Sequence, residues 1–351
     1  MKHQLQFVWL FVLVFYYTDT YAQHFTITGN IADQSTGQPL EFVTVFIDKS
    51  TIGTTTNDKG FFKLSEITLG SKKLIVSSIG YKTFQTIVEA DTTKNIHLAI
   101  SLEPDNIALS EIKVTVQKDK QWDKDYKKFF KSFIGSSENA AQTVITNPYV
   151  IDFKHKNNTL SAEASQMLIV ENNALGYKIN VVLDTFFNTY RSASSVRSVF
   201  FQEMPAKDSI QHKKQIQKRK EAYQGSFRHF VNTLLSNSLN ESGFSIRQYN
   251  ALKNMPDNAI TSTREIIARV KNSQLLFAFI FKGMIEITYT DPAQKMPVKT
   301  SWLKKKNEDP VVIDGYGNIF DSWFNLTILG YWGSQALADD VPEDFIRHHK
   351  E

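Results

Sequence analysis

From Phe25 onward the sequence breaks into short segments of alternating apolar and polar residues: FTITGNI, FVTVFID, FFKL, KKLIVSSIGYKTFQTIV and IHLAISLEP. An extended chain points successive side chains to opposite sides, so this alternation suits half-buried strands and does not suit the stripe of a surface helix. Thr, Val, Ile and Phe are enriched in the segments, and clusters of Gly, Pro, Asn and Asp interrupt them about every 8 to 12 residues, as turns between strands require. The pattern predicts an all-β sandwich for the N-terminal part. Within it, Asn57-Asp58-Lys59-Gly60 is read as a hairpin corner: Gly60 can take positive φ, and the Asn and Asp side chains can bond the nearby backbone. A calcium loop would need more oxygen ligands at alternate positions and usually a bidentate Glu downstream, which are absent.

The residues at these turns and strand ends resemble a known module. Gly29-Asn30-Ile31-x-Asp33, Thr36-Gly37-Gln38-Pro39-Leu40, Val43-Thr44-Val45-Phe46-Ile47, Gly53-Thr54-Thr55-Thr56-Asn57, Gly60-x-Phe62 and Ser78-Ile79-Gly80-Tyr81 look like the carboxypeptidase regulatory-like domain. The likeness extends through Leu102-Glu103-Pro104 to Leu109-Ser110-Glu111-Ile112-Lys113-Val114-Thr115-Val116, which matches that module's closing strand. It covers about residues 24 to 118 and departs at Asn57, where Asp is commoner. The resemblance implies a prealbumin-like sandwich of about seven strands, a carbohydrate-binding-like fold found at the front of many Bacteroidetes envelope proteins. The module is noncatalytic, so it implies no peptidase activity.

The first residues, MKHQLQFVWLFVLVFYYTDTYAQ, place one Lys before an apolar run from Phe7 to Tyr17 and end in a polar stretch with a small residue, Ala22. That order predicts a cleavable signal peptide over residues 1–22, because the run is short for a hydrocarbon layer of about 30 Å. The chain has no cysteine, which excludes disulfides, thiolate zinc sites, cysteine nucleophiles and an acylated lipoprotein cysteine. A large cysteine-free exported chain is expected in a bacterial periplasm or associated with the outer membrane. The formal charge of +4 over 351 residues argues for neither nucleic acid nor anionic membrane as a partner. No later segment is long and apolar enough to predict a transmembrane helix after signal cleavage, and DDVPEDFIRHHKE at the C-terminus reads as a charged tail rather than a barrel-closing strand.

After a charged connector, Gln117 to Gln121, a second domain of α+β type is expected. WDKDYKKFFKSFIG sets Trp122, Tyr126, Phe129, Phe130 and Phe133 at helical spacing, an aromatic stripe for packing. NPYVIDFKHKNNTLSAEA predicts a hairpin turning at Asn157-Asn158, and Tyr177, Ile179, Val181 and Leu183 alternate as in a strand. Residues 208–240 read as helices. Their basic cluster of Lys213, Lys214, Lys218, Arg219 and Lys220 is read as a solvated face, with Phe227, Phe230, Val231 and Leu234 on the apolar side of the next helix. QLLFAFIFKGMIEITYT, VKTSWLKKK and PVVIDGYGNIF return to strand, and Trp323, Tyr331 and Trp332 are expected in a core. Phe133-Ile134-Gly135-Ser136-Ser137-x-Asn139-Ala140, Asn147-Pro148, Leu175-Gly176-Tyr177 and Tyr223-x-Gly225-Ser226-x-x-His229-Phe230 resemble segments of uncharacterised Bacteroidetes proteins, a likeness that implies no activity.

The enzyme motifs are missing. The His-x-x-Glu spacing of a zinc carboxypeptidase occurs at His348-His349-Lys350-Glu351, where no chain follows to supply a third ligand. His24, His97, His155, His212 and His229 stand singly. Gly225-Ser226 and Gly135-Ser136-Ser137 lack the nucleophile-elbow pattern, and Gly315-Tyr316-Gly317 lacks a dinucleotide turn. Asp339-Asp340 and Glu343-Asp344 could serve acid–base work in a glycosidase but are read as solvated surface. No catalytic, cofactor-binding or metal residue is therefore nominated, and no cofactor is expected. The plan expected is signal peptide 1–22, sandwich 23–118, α+β domain 119–345 and tail 346–351. The function expected is a non-enzymatic exported binding or assembly module whose partner is an envelope protein or glycan. The alternative is a secreted hydrolase or carbohydrate-binding protein with its site in the C-terminal domain.

Overall fold

A computed structural model describes residues 24–90, 95–105, 120–189, 193–250, 252–253, 255–271, 273, 276–294, 298–319 and 325–345. The expected signal segment, the closing strand at 109–116, Trp323 and the charged tail lie outside the described residues.

The N-terminal part is a two-sheet sandwich of seven described strands: β1 (His24–Asp33), β2 (Thr44–Ile47), β3 (Gly53–Thr55), β4 (Phe61–Thr68), β5 (Gly70–Ser77), β6 (Phe84–Ala90) and β7 (Ile96–Leu102). One sheet runs β4-β1-β7, with β1 and β7 parallel, and the other runs β3-β2-β5-β6, antiparallel throughout. Alternation does what it predicts: in β4, Phe62 and Leu64 enter the core while Phe61 and Lys63 stay exposed. Ile27, Ile31, Val45, Ile47, Leu74 and Val76 meet them from the other strands. Each such side chain contributes about 1.5–3 kcal/mol by leaving water.

Asn57 to Gly60 is a turn, but it joins β3 and β4, which belong to different sheets, so it is a corner between layers rather than a hairpin within one. Asn57 Oδ1 accepts from the backbone N–H groups of Lys59 (3.0 Å) and Phe61 (2.9 Å). Gly60 sits at φ +68, and a Cβ there would lie 2.3 Å from the Ile31 carbonyl oxygen, so the corner demands glycine.

Beyond residue 119 the chain is α+β and builds two further cores. The first lies under α1 (Lys120–Phe133) on an antiparallel sheet of β8 (Thr143–Ile145), β9 (Ile151–Lys156), β10 (Thr159–Ala164), β11 (Leu168–Asn172), β12 (Tyr177–Asn188) and β13 (Ala193–Glu203). Phe129 and Phe133 of the expected aromatic stripe are buried there against Phe186, with Tyr126 and Phe130 at its edge. Asn157 and Asn158 turn the β9–β10 hairpin at φ +49 and +59, the left-handed pair that a two-residue hairpin loop needs.

Helices α2 (Ser209–Tyr223) and α3 (Phe227–Ser236) start where Asp208 and Ser226 cap free N–H groups. The second core packs α3 with α4 (Tyr331–Ser334) against two sheets. One holds β14 (Phe244–Asn250), β15 (Met255–Ile260), β18 (Met284–Tyr289), β19 (Lys299–Lys305) and β21 (Leu326–Gly330); the other holds β16 (Ile267–Arg269), β17 (Leu276–Phe279) and β20 (Val311–Asp314). Trp332 is buried there and donates its indole N–H to the Gly225 carbonyl at 2.7 Å. The chain then returns to the first core, where Leu337, Ala338, Val341 and Phe345 are buried.

Two expectations about charge need correction. Lys213, Lys214 and Lys220 of the basic cluster are exposed, but Arg219 is only 2% exposed. Its guanidinium donates to the carbonyls of Leu175 and Gly176, pairs with Glu203 at 2.7 Å and lies 3.9 Å over the Tyr177 ring. A planar, multiply donating cation is suited to such a buried place. Glu343 and Asp344, read as solvated surface, are also buried, because they close the junction described next.

Candidate functional site

The outer face of the sheet β3-β2-β5-β6 does not meet water across its middle. Phe46 of β2 and Ile75 of β5 point away from the sandwich core and pack with Val182 of β12 and Phe200 of β13. The Phe46 and Phe200 rings stack with centroids 5.4 Å apart. Gly53 lets Phe200 approach, since a Cβ at Gly53 would stand 2.4 Å from that ring. Backbone bonds extend the seam: Lys49 N–H donates to the Val199 carbonyl (2.7 Å), and Phe201 N–H donates to the Ser50 carbonyl (3.0 Å).

Charge surrounds this apolar patch. Asp48 Oδ1 accepts from Val199 N–H at 2.8 Å, and the Lys49 ammonium donates to Asn318 Oδ1 at 2.7 Å. The Asn318 amide in turn donates to Asp314 (2.9 Å) and Glu343 (2.5 Å). Lys72 lies 3.5 Å from Glu343 and 3.9 Å over the Tyr316 ring, and Asp344 accepts from both the backbone and the hydroxyl of Thr51. Burial pushes the pKa of Asp48 up against the pull of Lys49, and burial followed by the neighbouring Glu343 does the same to Asp314. Among the described residues, no group of three or more His, Cys, Asp or Glu side chains is arranged to hold a metal ion. The junction is a structural lock.

Beside that lock the two parts leave a cleft of 630 Å³, within the range of ligand sites. The sandwich supplies one wall from the β1–β2 and β5–β6 loops, with Glu41, Phe42, Ile79, Tyr81 and Lys82; Asp105 lies beside them. The β10–β11 loop and β12 supply the other, with Gln166, Met167 and Asp184. Two backbone irregularities aim side chains at this space. Phe42 has φ +58 and is 74% exposed, a conformation that costs a bulky residue energy and is concentrated at binding sites. Asp184 is the extra residue where the β12–β13 register shifts between Leu183 and Thr185, and a bulge of this kind re-aims a side chain.

The cleft is acidic. Glu41, Asp105 and Asp184 stand against Lys82, which is ion-paired with Glu103 at 2.5 Å. Among the described residues, the side chains of Glu41 and Asp184 have no hydrogen-bond partner. Solvent reaches Asp184, yet the walls remove enough water to push its pKa up, opposed by the charge of Lys73. Tyr81 is fixed in the wall by its hydroxyl, which donates to Asp33 at 2.8 Å.

The cleft contains none of the residues weighed for chemistry in the sequence. Asp339 accepts from Ser137 (2.7 Å) and Asn139 (3.0 Å), and Asp340 pairs with Arg197 (3.0 Å). His229 is a satisfied interior histidine: its Nδ1 accepts from Gly225 N–H at 3.0 Å, and its ring packs on Tyr223 and Phe244. His348, His349 and Glu351 lie outside the described residues. Asp184 carries no sequence signal, because a bulge arises from pairing. The junction does carry one: Val45-Phe46-Ile47 and Leu74-Ile75-Val76 are unbroken apolar runs, the mark of strands covered on both faces.

Residues 27–114, which take in most of the sandwich, match the family model described as CarboxypepD_reg-like domain. No curated protein sequence matches the chain significantly. Among solved structures, a type II cohesin–X-dockerin complex from Acetivibrio cellulolyticus is similar at 21% identity and TM-score 0.20, over 22% of this chain and 56% of that one. The chain thus spans little more than half the length of that relative. A DUF3823 family protein from Bacteroides ovatus is similar at 10% identity and TM-score 0.18, over 52% of this chain and 82% of that one. A Bacteroides uniformis protein provisionally termed carbohydrate-binding is similar at 8% identity and TM-score 0.19, over 82% of this chain and 98% of that one. Among the described residues, no helix is long and apolar enough to cross a membrane.

Proposed function

We propose that this is an exported, non-enzymatic binding or assembly module of the cell envelope, in which the sandwich is a scaffold and the interdomain cleft receives the partner. The observation carrying the reading is the convergence of Phe42, held at φ +58, and the bulged Asp184 on one cleft whose walls are fixed by the buried junction. A preorganised cleft binds without first ordering its walls, which lowers the cost of association. Export rests on the N-terminal segment, and an envelope protein or glycan is the partner class that such an address implies.

The test places a photo-crosslinking amino acid at Ile79, on the cleft lip, and at Leu252, on the remote β14–β15 turn; they are 74% and 99% exposed. A discrete adduct in the envelope fraction from position 79 alone is expected. Equal adducts from both positions, or recovery of the chain in the cytosol, would overturn the reading.

A further inference from the structure

Taking the cleft as the ligand site, a premise it shares with the proposed function, we infer that its occupant is a basic polypeptide segment in which Lys or Arg neighbours an apolar side chain. Charge complementarity is the first reason. Glu41 and Asp184 line the same 630 Å³, and the cleft's lysine, Lys82, is already paired with Glu103, so a cation entering there meets an excess of negative charge. That charge is displayed by the fold: a bulge turns Asp184 out of the β12–β13 ladder and into the space.

The second reason is the apolar lip. Phe42 and Ile79 are each 74% exposed and line the same cleft as the carboxylates. A ligand that uses both features must carry charged and apolar groups together, as a peptide does with adjacent charged and apolar side chains, and as a small amine does not. The aromatic face of Phe42 also attracts a cation passing over it. A sugar platform is less well served, because Phe42 is the exposed ring of the cleft while the Tyr81 hydroxyl is committed to Asp33 at 2.8 Å.

The experiment uses the full mature chain, with occupancy read as the heat of binding by isothermal titration calorimetry. The chain is titrated with four probes: acetyl-Leu-Lys-Phe-Lys-amide, acetyl-Leu-Glu-Phe-Glu-amide, spermidine and maltotriose. Only the basic peptide is expected to saturate the signal. Its affinity is expected to fall about tenfold, about 1.4 kcal/mol, in the Glu41→Gln, Asp184→Asn double variant, and to weaken as salt is raised. Both residues are reached by solvent, and an unchanged melting temperature shows that the variant is folded. Saturation by the acidic peptide or maltotriose instead would sink the basic-ligand inference while sparing the cleft. Spermidine binding as tightly as the peptide would remove the polypeptide, as would affinity indifferent to the two substitutions. Silence from all four probes would overturn the cleft itself as a ligand site.

Discussion

His229 shows how a single side chain can look like chemistry and act as packing. Burial, reinforced by Lys299, lowers its pKa from 6.5 to about 4, and the neutral ring accepts the Gly225 N–H where α2 turns into α3. The unfolded chain binds a proton at a higher pH than the folded one, so the stabilisation is complete above pH 6.5 and is lost as pH falls towards 4. A shift of this size corresponds to about 3 kcal/mol. His229→Gln keeps an acceptor and cannot titrate, so urea denaturation from pH 7 to pH 4 should find wild type losing about that much relative to the variant. Parallel pH dependences in the two proteins would contradict the assignment. Lys299 acts just as locally, because its ammonium donates to the Gln224 carbonyl at the end of α2, at 2.7 Å, where a cation favours the helix dipole.

At the scale of elements, β2 and β5 are the strands that tie the sandwich to the rest. Val45, Ile47, Leu74 and Val76 serve the sandwich core, while Phe46 and Ile75 serve the junction from the opposite face. Gly53 on the neighbouring β3 is where a side chain would meet the Phe200 ring. Gly53→Ala leaves the backbone of β3 unstrained, because φ there is not positive, but it drives a methyl into Phe200. The expected result is a full-length protein whose sandwich retains its strand content by circular dichroism while small-angle scattering reports a larger radius of gyration. A scattering curve identical to wild type would show that the junction yields without opening. The unbroken apolar runs made this second covered face legible in the sequence, whereas the side chains that meet it, Val182 and Phe200, were ordinary strand residues until pairing placed them.

At the scale of the molecule, the junction concentrates buried acid, including Glu343 and Asp344, for which sequence patterning expected solvated surface. Asp48, Asp314, Glu343 and Asp344 come from three distant stretches of chain and are all buried. The groups facing Asp48 are Lys49, Lys73, Glu343 and the Val199 N–H. Its pKa is raised above 3.8, so the folded state holds the proton longer than the unfolded one. The associated stabilisation is full below pH 3.8 and is lost as pH rises through the folded value. Asp48→Asn retains an oxygen for Val199 N–H and has no charge to bury. Its unfolding free energy relative to wild type should therefore increase between pH 4 and pH 7, measured as a difference so that other carboxylates cancel. A relative decrease over that range would mean that the lysines outweigh burial.

By itself the sequence determined the local plan: strand alternation placed the sandwich, the Asn57 to Gly60 cluster placed a corner, and helical spacing placed α1, because periodicity and turn chemistry act over a few residues. Only the tertiary structure decided that Arg219, Glu343 and Asp344 are interior, that a corner crosses between sheets, and that Phe42 and Asp184 face one cleft. Desolvation and charge compensation depend on what arrives from hundreds of residues away, and a bulge exists only once two strands have chosen a register.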